Sequence, residues 1–274
     1  MASSALISIA ILGSLGLLFG TLIALATKKL WVYEDPRIDA VTGMLPGNNC
    51  GACGQAGCHA FAEAVVSGEI TPAQCTVMGA DGAGAVAAYL GIDAGSASKR
   101  VARVQCGGGS DRAVRRAEYR GLQTCAAAAA VAGGGKACAW ACLGLADCER
   151  SCTFNAIVMN ERALPAVLPS LCTACGDCVR ACPKDLFTLM PLEQKLLVQC
   201  RNLLEGAAAE ALCAAACTGC SKCATDAAPG LIQIQHGLAV IDYSKNLLAD
   251  RTAGRRCPTG AIVWVEGMQF TEPV

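Results

Sequence analysis

The stretch that most constrains this chain is CTACGDCVRACP, residues 172–183, in which Cys172, Cys175 and Cys178 are spaced two apart, Cys182 follows three later and Pro183 closes the run. Cysteines at C-x2-C-x2-C-x3-C-P hold [4Fe–4S] clusters, and the fourth thiolate serves a different cluster from the first three. Three thiolates on one tight loop cap three irons of a cubane. The fourth iron faces away and needs a ligand from a distant point in the chain, for which Cys152 is the natural candidate. Cys152 ends the run CAWACLGLADCERSC, whose Cys138, Cys142 and Cys148 are then expected to take Cys182 as their fourth ligand.

A separate pattern, LPGNNCGACGQAGCHAF, places Cys50, Cys53 and Cys58 on a glycine-rich loop running into the helical stretch AFAEAVVSG, with Cys75 as the distant fourth cysteine. Glycines there let the backbone approach a cluster and present N–H groups to sulfide, which adjusts its reduction potential. His59 reads as a helix surface residue. Zinc is the competing ligand for CxxC pairs, but this many interlocked thiolates favour iron and sulfide. Some matches carry no weight. CAAACTGC, residues 213–220, has the CxxxCxxC of radical SAM enzymes, yet only 54 residues follow it, too few for a barrel. GGGK at Gly133–Lys136 lacks the spacing of a phosphate loop, and no GxGxxG follows a strand. With no flavin or nicotinamide motif, the chain is expected to move electrons without doing substrate chemistry.

Cysteine at a density of 20 in 274 residues means disulfides in an oxidising compartment or metal in a reducing one. The N-terminus decides. Residues 5–27 carry no charge over 23 residues, a helix of about 34 Å against a ~30 Å hydrocarbon core. A cleaved signal peptide has basic residues before its apolar run; here Lys28 and Lys29 follow it, and Trp31 and Tyr33 supply interfacial aromatics. The positive-inside rule then expects a single-pass anchor in a bacterial inner membrane with the bulk of the chain in the cytoplasm, where thiols are reduced.

Five segments are expected: an anchor at 1–30, an N-terminal 4Fe–4S domain at 31–78, a linker with a short helix and a basic segment at 79–120, a two-cluster ferredoxin-like unit at 121–192 and a one-cluster unit at 193–274. The fold class is α+β. The two units form a repeat: adding 75 carries Cys125, Cys138, Cys142, Cys148 and Cys182 onto Cys200, Cys213, Cys217, Cys223 and Cys257. In each copy two apolar runs read as a β-hairpin, NAIVM with ALPAVL and LIQIQ with LAVID across His236–Gly237. The same shift sends Cys152, Cys172, Cys175 and Cys178 to Ala227, Leu247, Asp250 and Ala253, so one whole ligand set is missing from the second copy, with Leu247 and Leu248 expected to fill the space. The second copy gains Cys220 where the first has Leu145, so Cys217, Cys220, Cys223 and Cys257 form its one set. Four clusters result. Cys106, Cys125, Cys200 and Cys213 remain as free thiols, alternative ligands or a fifth cluster.

Between Lys99 and Arg120 seven basic residues face Asp111 and Glu118, an excess of +5 in a chain of zero net charge. Such a run is either a solvated helix face or a docking patch for an acidic redox partner. A neutral chain gives no general case for nucleic acid.

Taken together, the anchor, CGACGQAGC with Cys75, CGGG at Cys106, YRGLQTC at Tyr119–Cys125, GGGKAC, CLGLADC and the cysteine run at 172–183 resemble the B subunit of the Rnf electron-transport complex, a membrane-bound ferredoxin:NAD oxidoreductase coupled to ion translocation. The likeness covers the whole chain. It implies a non-catalytic relay that meets soluble ferredoxin or flavodoxin and passes electrons through [4Fe–4S] clusters to flavin- and NAD-binding subunits. Thr153 departs from the proline usual after the counterpart of Cys152, and the second ferredoxin-like unit reads as degenerate. The rival expectation is a membrane-tethered polyferredoxin serving another oxidoreductase such as a hydrogenase.

Overall fold

The computed structural model describes residues 2–30 and 34–271, with side chains of the first helix from Ile9 onward. Trp31 and Tyr33, expected as interfacial aromatics, lie outside the described residues. Helix α1, Ala2–Lys29, ends on Lys28 and Lys29, whose charge suits the negative end of the helix dipole. Ile9–Lys29 has a mean hydropathy of 2.3 and buries none of its surface on the rest of the chain. At 1.5 Å per residue these 21 residues reach about 32 Å, enough for a hydrocarbon core.

Three helices make the N-terminal unit: α2 (Pro36–Met44), α3 (Cys58–Val66) and α4 (Ala80–Leu90). Asp35 caps α2 by accepting from the Arg37 N–H, and Pro36 fits the first turn, where its missing N–H costs nothing. The helices bury Val41, Phe61, Val65, Ala83 and Val86 against one another. Burial of each larger apolar side chain contributes about 1.5–3 kcal/mol, so α4 belongs to this unit. The boundary expected after residue 78 is thereby moved to beyond Leu90, where Gly91 ends the helix in the left-handed region at φ 68°.

Residues 100 to 271 form two units on one plan. The first contains strands β1 (Arg100–Val104), β2 (Ile157–Met159), β3 (Pro165–Val167) and β4 (Phe187–Pro191); the second contains β5 (Leu196–Val198), β6 (Ile232–Gln235), β7 (Leu238–Ile241) and β8 (Ile262–Trp264). Among the described residues these make four two-stranded sheets, β1–β4 and β2–β3 in the first unit and β5–β8 and β6–β7 in the second. Both hairpins read from alternation are present. His236 at φ 48° and Gly237 at φ 73° turn the second one as a type I′ pair requires.

The outer pairs correct two expectations. Arg100–Val104 is paired antiparallel with Phe187–Pro191, so the segment expected as a linker supplies a strand of the first ferredoxin-like unit. The second unit keeps all four strands of the plan while lacking one ligand set. The registers also align the two units: Val104 faces Phe187 and Val198 faces Ile262. The Gln105 N–H donates to the Leu186 carbonyl at 2.7 Å, and the Gln199 N–H to the Ala261 carbonyl at 2.6 Å. Phe187 and Leu186 map to Ile262 and Ala261 by 75, whereas Val104 and Gln105 map to Val198 and Gln199 by 94. The first copy therefore carries 19 extra residues after its first strand. The counterpart of Cys200 is Cys106, in the shared tripeptide Val-Gln-Cys, and the expected pairing of Cys125 with Cys200 is coincidental.

Leu247 is 99% exposed and Leu248 is 54% exposed, so neither fills the space of the lost ligand set. Ala227, Ala249, Ala253 and Tyr243 pack there instead, and the Tyr243 hydroxyl donates to the Leu196 carbonyl at 3.1 Å. Small side chains let the backbone close over the position, whereas a pair of leucines would hold it open.

Candidate iron–sulfur centres

All twenty cysteines are described, and none is joined in a disulfide. Three cavities of closely similar empty volume, 340, 350 and 360 Å³, are each lined by four of them. Cys50, Cys53, Cys58 and Cys75 surround the first. There the Asn49 carboxamide oxygen accepts from the Cys58 N–H at 2.8 Å, tying the cysteine loop to the start of α3. Cys217, Cys220, Cys223 and Cys257 surround the second.

The third differs from the expected set. It is lined by Cys125, Cys142, Cys148 and Cys182, with Cys125 in the place expected for Cys138. Loop geometry explains the exchange. In the run 172–178 the residues flanking Cys175, Ala174 and Gly176, have φ of 57° and 85°; around Cys220, Gly219 and Ser221 have φ of 68° and 60°; around Leu145, Gly144 and Ala146 have φ of 74° and 64°. The three loops share one left-handed pattern, costly for alanine and serine and kept where a site demands it. Leu145 thus stands where the other loops carry their middle cysteine. The 19-residue insertion compensates with Cys125, at the start of the helix Cys125–Ala130. Thr124 caps that helix, and the Asp147 carboxylate accepts from the Ala126 N–H at 3.0 Å, which holds it against the loop bearing Cys148.

Cys152, Cys172, Cys175 and Cys178 form a fourth group. Burial first, then the neighbouring Cys172, Cys175 and Cys152, pushes the Cys178 thiol up to about 12. Beside it, Arg103 is 2% exposed, with its Nη1 donating to the Gly267 carbonyl at 2.7 Å and its Nε and Nη2 unpartnered. Burial lowers this guanidinium's pKa and Cys172 raises it, which places a buried cation next to the fourth group. Burial likewise drives Cys142 up to about 12 and Cys223 up to about 11. Burial acts to raise Cys257 too, but N–H groups of Ile262, Thr259 and Ala261 and the Thr259 hydroxyl overcome it and hold the thiol below its ordinary value.

A single zinc ion requires four sulfurs about 2.3 Å from one point. Among the described residues no three His, Cys, Asp or Glu side chains converge in that way. Thiols arranged around a cavity instead of a point suit a cubane, whose irons lie at its corners, and the repeated volume and donor set fit [4Fe–4S].

Strand-paired units with cysteine loops around such cavities define an iron–sulfur protein of the ferredoxin class with one long apolar N-terminal helix. Residues 45–77 match the family model described as a putative Fe-S cluster, and residues 165–188 match the 4Fe-4S binding domain. The B subunit of the Na(+)-translocating ferredoxin:NAD(+) oxidoreductase complex of Acetobacterium woodii is 44% identical over 89% of this chain and 74% of its own length. The B subunit of the Proton-translocating ferredoxin:NAD(+) oxidoreductase complex of Clostridium ljungdahlii is 38% identical over 90% and 88%, and that of the Ion-translocating oxidoreductase complex of Methanosarcina acetivorans 37% over 89% and 93%. The chain belongs to this family, the B subunits of the Rnf-type ion-translocating oxidoreductase complexes.

Proposed function

We propose that the chain is the electron-relay subunit of a membrane-bound ferredoxin:NAD oxidoreductase, carrying electrons between a soluble ferredoxin or flavodoxin and the flavin- and NAD-binding subunits. The observation that carries this reading is the sorting of sixteen cysteines into four sets of four, three of them around cavities of nearly equal volume. Cys50, Cys53, Cys58 and Cys75 hold one cluster; Cys125, Cys142, Cys148 and Cys182 a second; Cys152, Cys172, Cys175 and Cys178 a third; Cys217, Cys220, Cys223 and Cys257 a fourth. A bound [4Fe–4S] cluster supplies a one-electron centre whose potential follows its hydrogen bonds, nearby charge and solvent exposure. The protein's part is to position the centres, exclude water and set those fields. Arg103 favours the more negative, reduced state of the third set. Helix α1 anchors the chain as a single span, with Lys28 and Lys29 on the cytoplasmic side.

The insertion supports an entry point near Cys125. Its exposed surface combines Arg115, Arg116 and Arg120 with Leu122, 76% exposed, and Val131 beyond it, 57% exposed. These residues are spread over irregular backbone, so the bland expectation of a helix face does not apply, and buried Arg103 drops out of the patch. A mixed apolar and basic surface suits a small acidic carrier. Isolated from native membranes, the chain is expected to come with flavin-bearing subunits; isolation without them favours service to another oxidoreductase. In that complex, Arg115→Gln with Arg116→Gln is expected to slow carrier oxidation several-fold at low salt and little at high salt, as screening removes the attraction. An unchanged low-salt rate makes these arginines ordinary solvated groups.

A further inference from the structure

Four cysteines remain outside the sets above, and they come from equivalent places in the two units. Cys106 and Cys200 each follow the first strand of their unit in Val-Gln-Cys, and Cys138 and Cys213 each open a Cys-Ala-x-Ala-Cys run. We propose that Cys106, Cys138, Cys200 and Cys213 hold a further [4Fe–4S] cluster at the junction between the two ferredoxin-like units, linking their clusters into one electron path. The inference rests on the four-set reading above and adds a centre to it.

The backbone draws these residues together twice. The Gly107 N–H donates to the Gln199 carbonyl at 2.9 Å, which brings the ends of β1 and β5 side by side with their cysteines. The extended stretch Ala113–Val114 then lies between the other two loops: the Val114 N–H donates to Leu212 at 3.0 Å, the Ala214 N–H to Arg112 at 2.9 Å and the Ala137 N–H to Val114 at 2.8 Å. One segment so binds both the loop of Cys138 and the loop of Cys213. Both thiols sense Cys106, and Cys138 senses Cys213; Cys200 packs against the cluster of side chains that contains Cys213.

Three further features suit a buried, negatively charged group better than four idle thiols. Glycine in the CGGG loop lets the sulfurs come close to the backbone, because a Cβ on Gly108 would stand 3.0 Å from the Cys213 Sγ and 3.6 Å from the Cys106 Sγ. Backbone N–H groups of Cys142, Ala215 and Asn202 reach the sulfurs of Cys106, Cys213 and Cys200, each at 3.4 Å, as N–H groups do around iron-bound thiolates. Lys136 is fixed over the loop by donating to the Gly109 carbonyl at 2.8 Å, and its charge acts on Cys138, Cys142 and Cys213. Free buried cysteines behave as small hydrophobes and have no use for such donors or for a tethered cation. Since Cys138 and Cys142 share one loop and Cys213 and Cys217 another, the site lies between one cluster of each unit.

Iron and acid-labile sulfide are counted in the full chain, isolated anaerobically in detergent, alongside anaerobic native mass spectrometry. Five centres require about 20 irons, and Cys106→Ser with Cys200→Ser, or Cys138→Ser with Cys213→Ser, is expected to remove about four of them together with one reducible centre in the electron paramagnetic resonance titration. The wild-type count decides even where a variant folds poorly. About 16 irons in the wild type, with or without a zinc ion, overturns the junction cluster and leaves the four-set reading standing. A count below about eight overturns both. Double variants that keep the full wild-type iron overturn the ligand assignment.

Discussion

Cys125→Ser is expected to remove one [4Fe–4S] cluster, about four irons per chain, and Leu145→Cys introduced into that variant is expected to restore it. The loop around Leu145 already has the conformation of the loops around Cys175 and Cys220, with left-handed residues on both sides. A cysteine there takes the position of the absent middle ligand and makes the insertion's thiol dispensable. The same Leu145→Cys change is expected to leave the deficit of Cys138→Ser unrepaired, because Cys138 lies with Cys106 and Cys213 and not at the cavity of Cys142, Cys148 and Cys182. Iron content and electron paramagnetic resonance of the two single and two double variants settle it. Full iron in Cys125→Ser, or rescue of Cys138→Ser by Leu145→Cys, contradicts the assignment.

Complete removal of iron and sulfide is expected to unfold both ferredoxin-like units. Their strands are three to five residues long, and the two core clusters that support them are themselves built around ligand cysteines such as Cys148, Cys178, Cys217 and Cys223. Removing the clusters takes away the groups these cysteines pack around, against a total stability of only about 5–15 kcal/mol for a domain. Strand circular dichroism should collapse on chelation and return on reconstitution; native dichroism in iron-free protein contradicts this. The pH dependence has a definite sign. In the metal-free, unfolded chain the cysteine thiols keep their ordinary pKa of about 8.5 and are protonated at neutral pH, and burial in the folded frame, which pushes Cys142 and Cys178 up to about 12 and Cys200 and Cys223 up to about 11, favours the protonated form further. Ligation takes thiolates and releases the protons. Reconstitution is therefore favoured as pH rises from 7 to 9, by about 1.4 kcal/mol per pH unit for each proton released.

Much of this was legible in the residues. Spacing grouped Cys50, Cys53, Cys58 and Cys75, which line one cavity, and Cys172, Cys175 and Cys178, which lie together; period-two alternation located both hairpins, and the gain of Cys220 marked the loop that lines the second unit's cavity. What escaped was non-local. β1 pairs with a strand some ninety residues away, and β5 is three residues long, so neither has a local period strong enough to stand out. A single offset of 75 carried Cys138, Cys142, Cys148 and Cys182 onto cysteines, and the chance that Cys125 obeyed it too concealed the insertion. The repeated Val-Gln-Cys at 104–106 and 198–200 was the signal that could have revealed it. Filling of the lost ligand site was misjudged for a physical reason: backbone closure over Ala227, Ala249 and Ala253 leaves no need for large side chains, and Leu247 turns outward.

The most direct measurement of the relay is anaerobic potentiometric titration of the full chain in detergent, followed by electron paramagnetic resonance. Several [4Fe–4S] centres in one chain should give a brown protein that bleaches on reduction, with signals integrating to more than about three spins per chain and broadened by mutual coupling. A colourless, zinc-loaded chain, or one that takes up a single electron, contradicts the account.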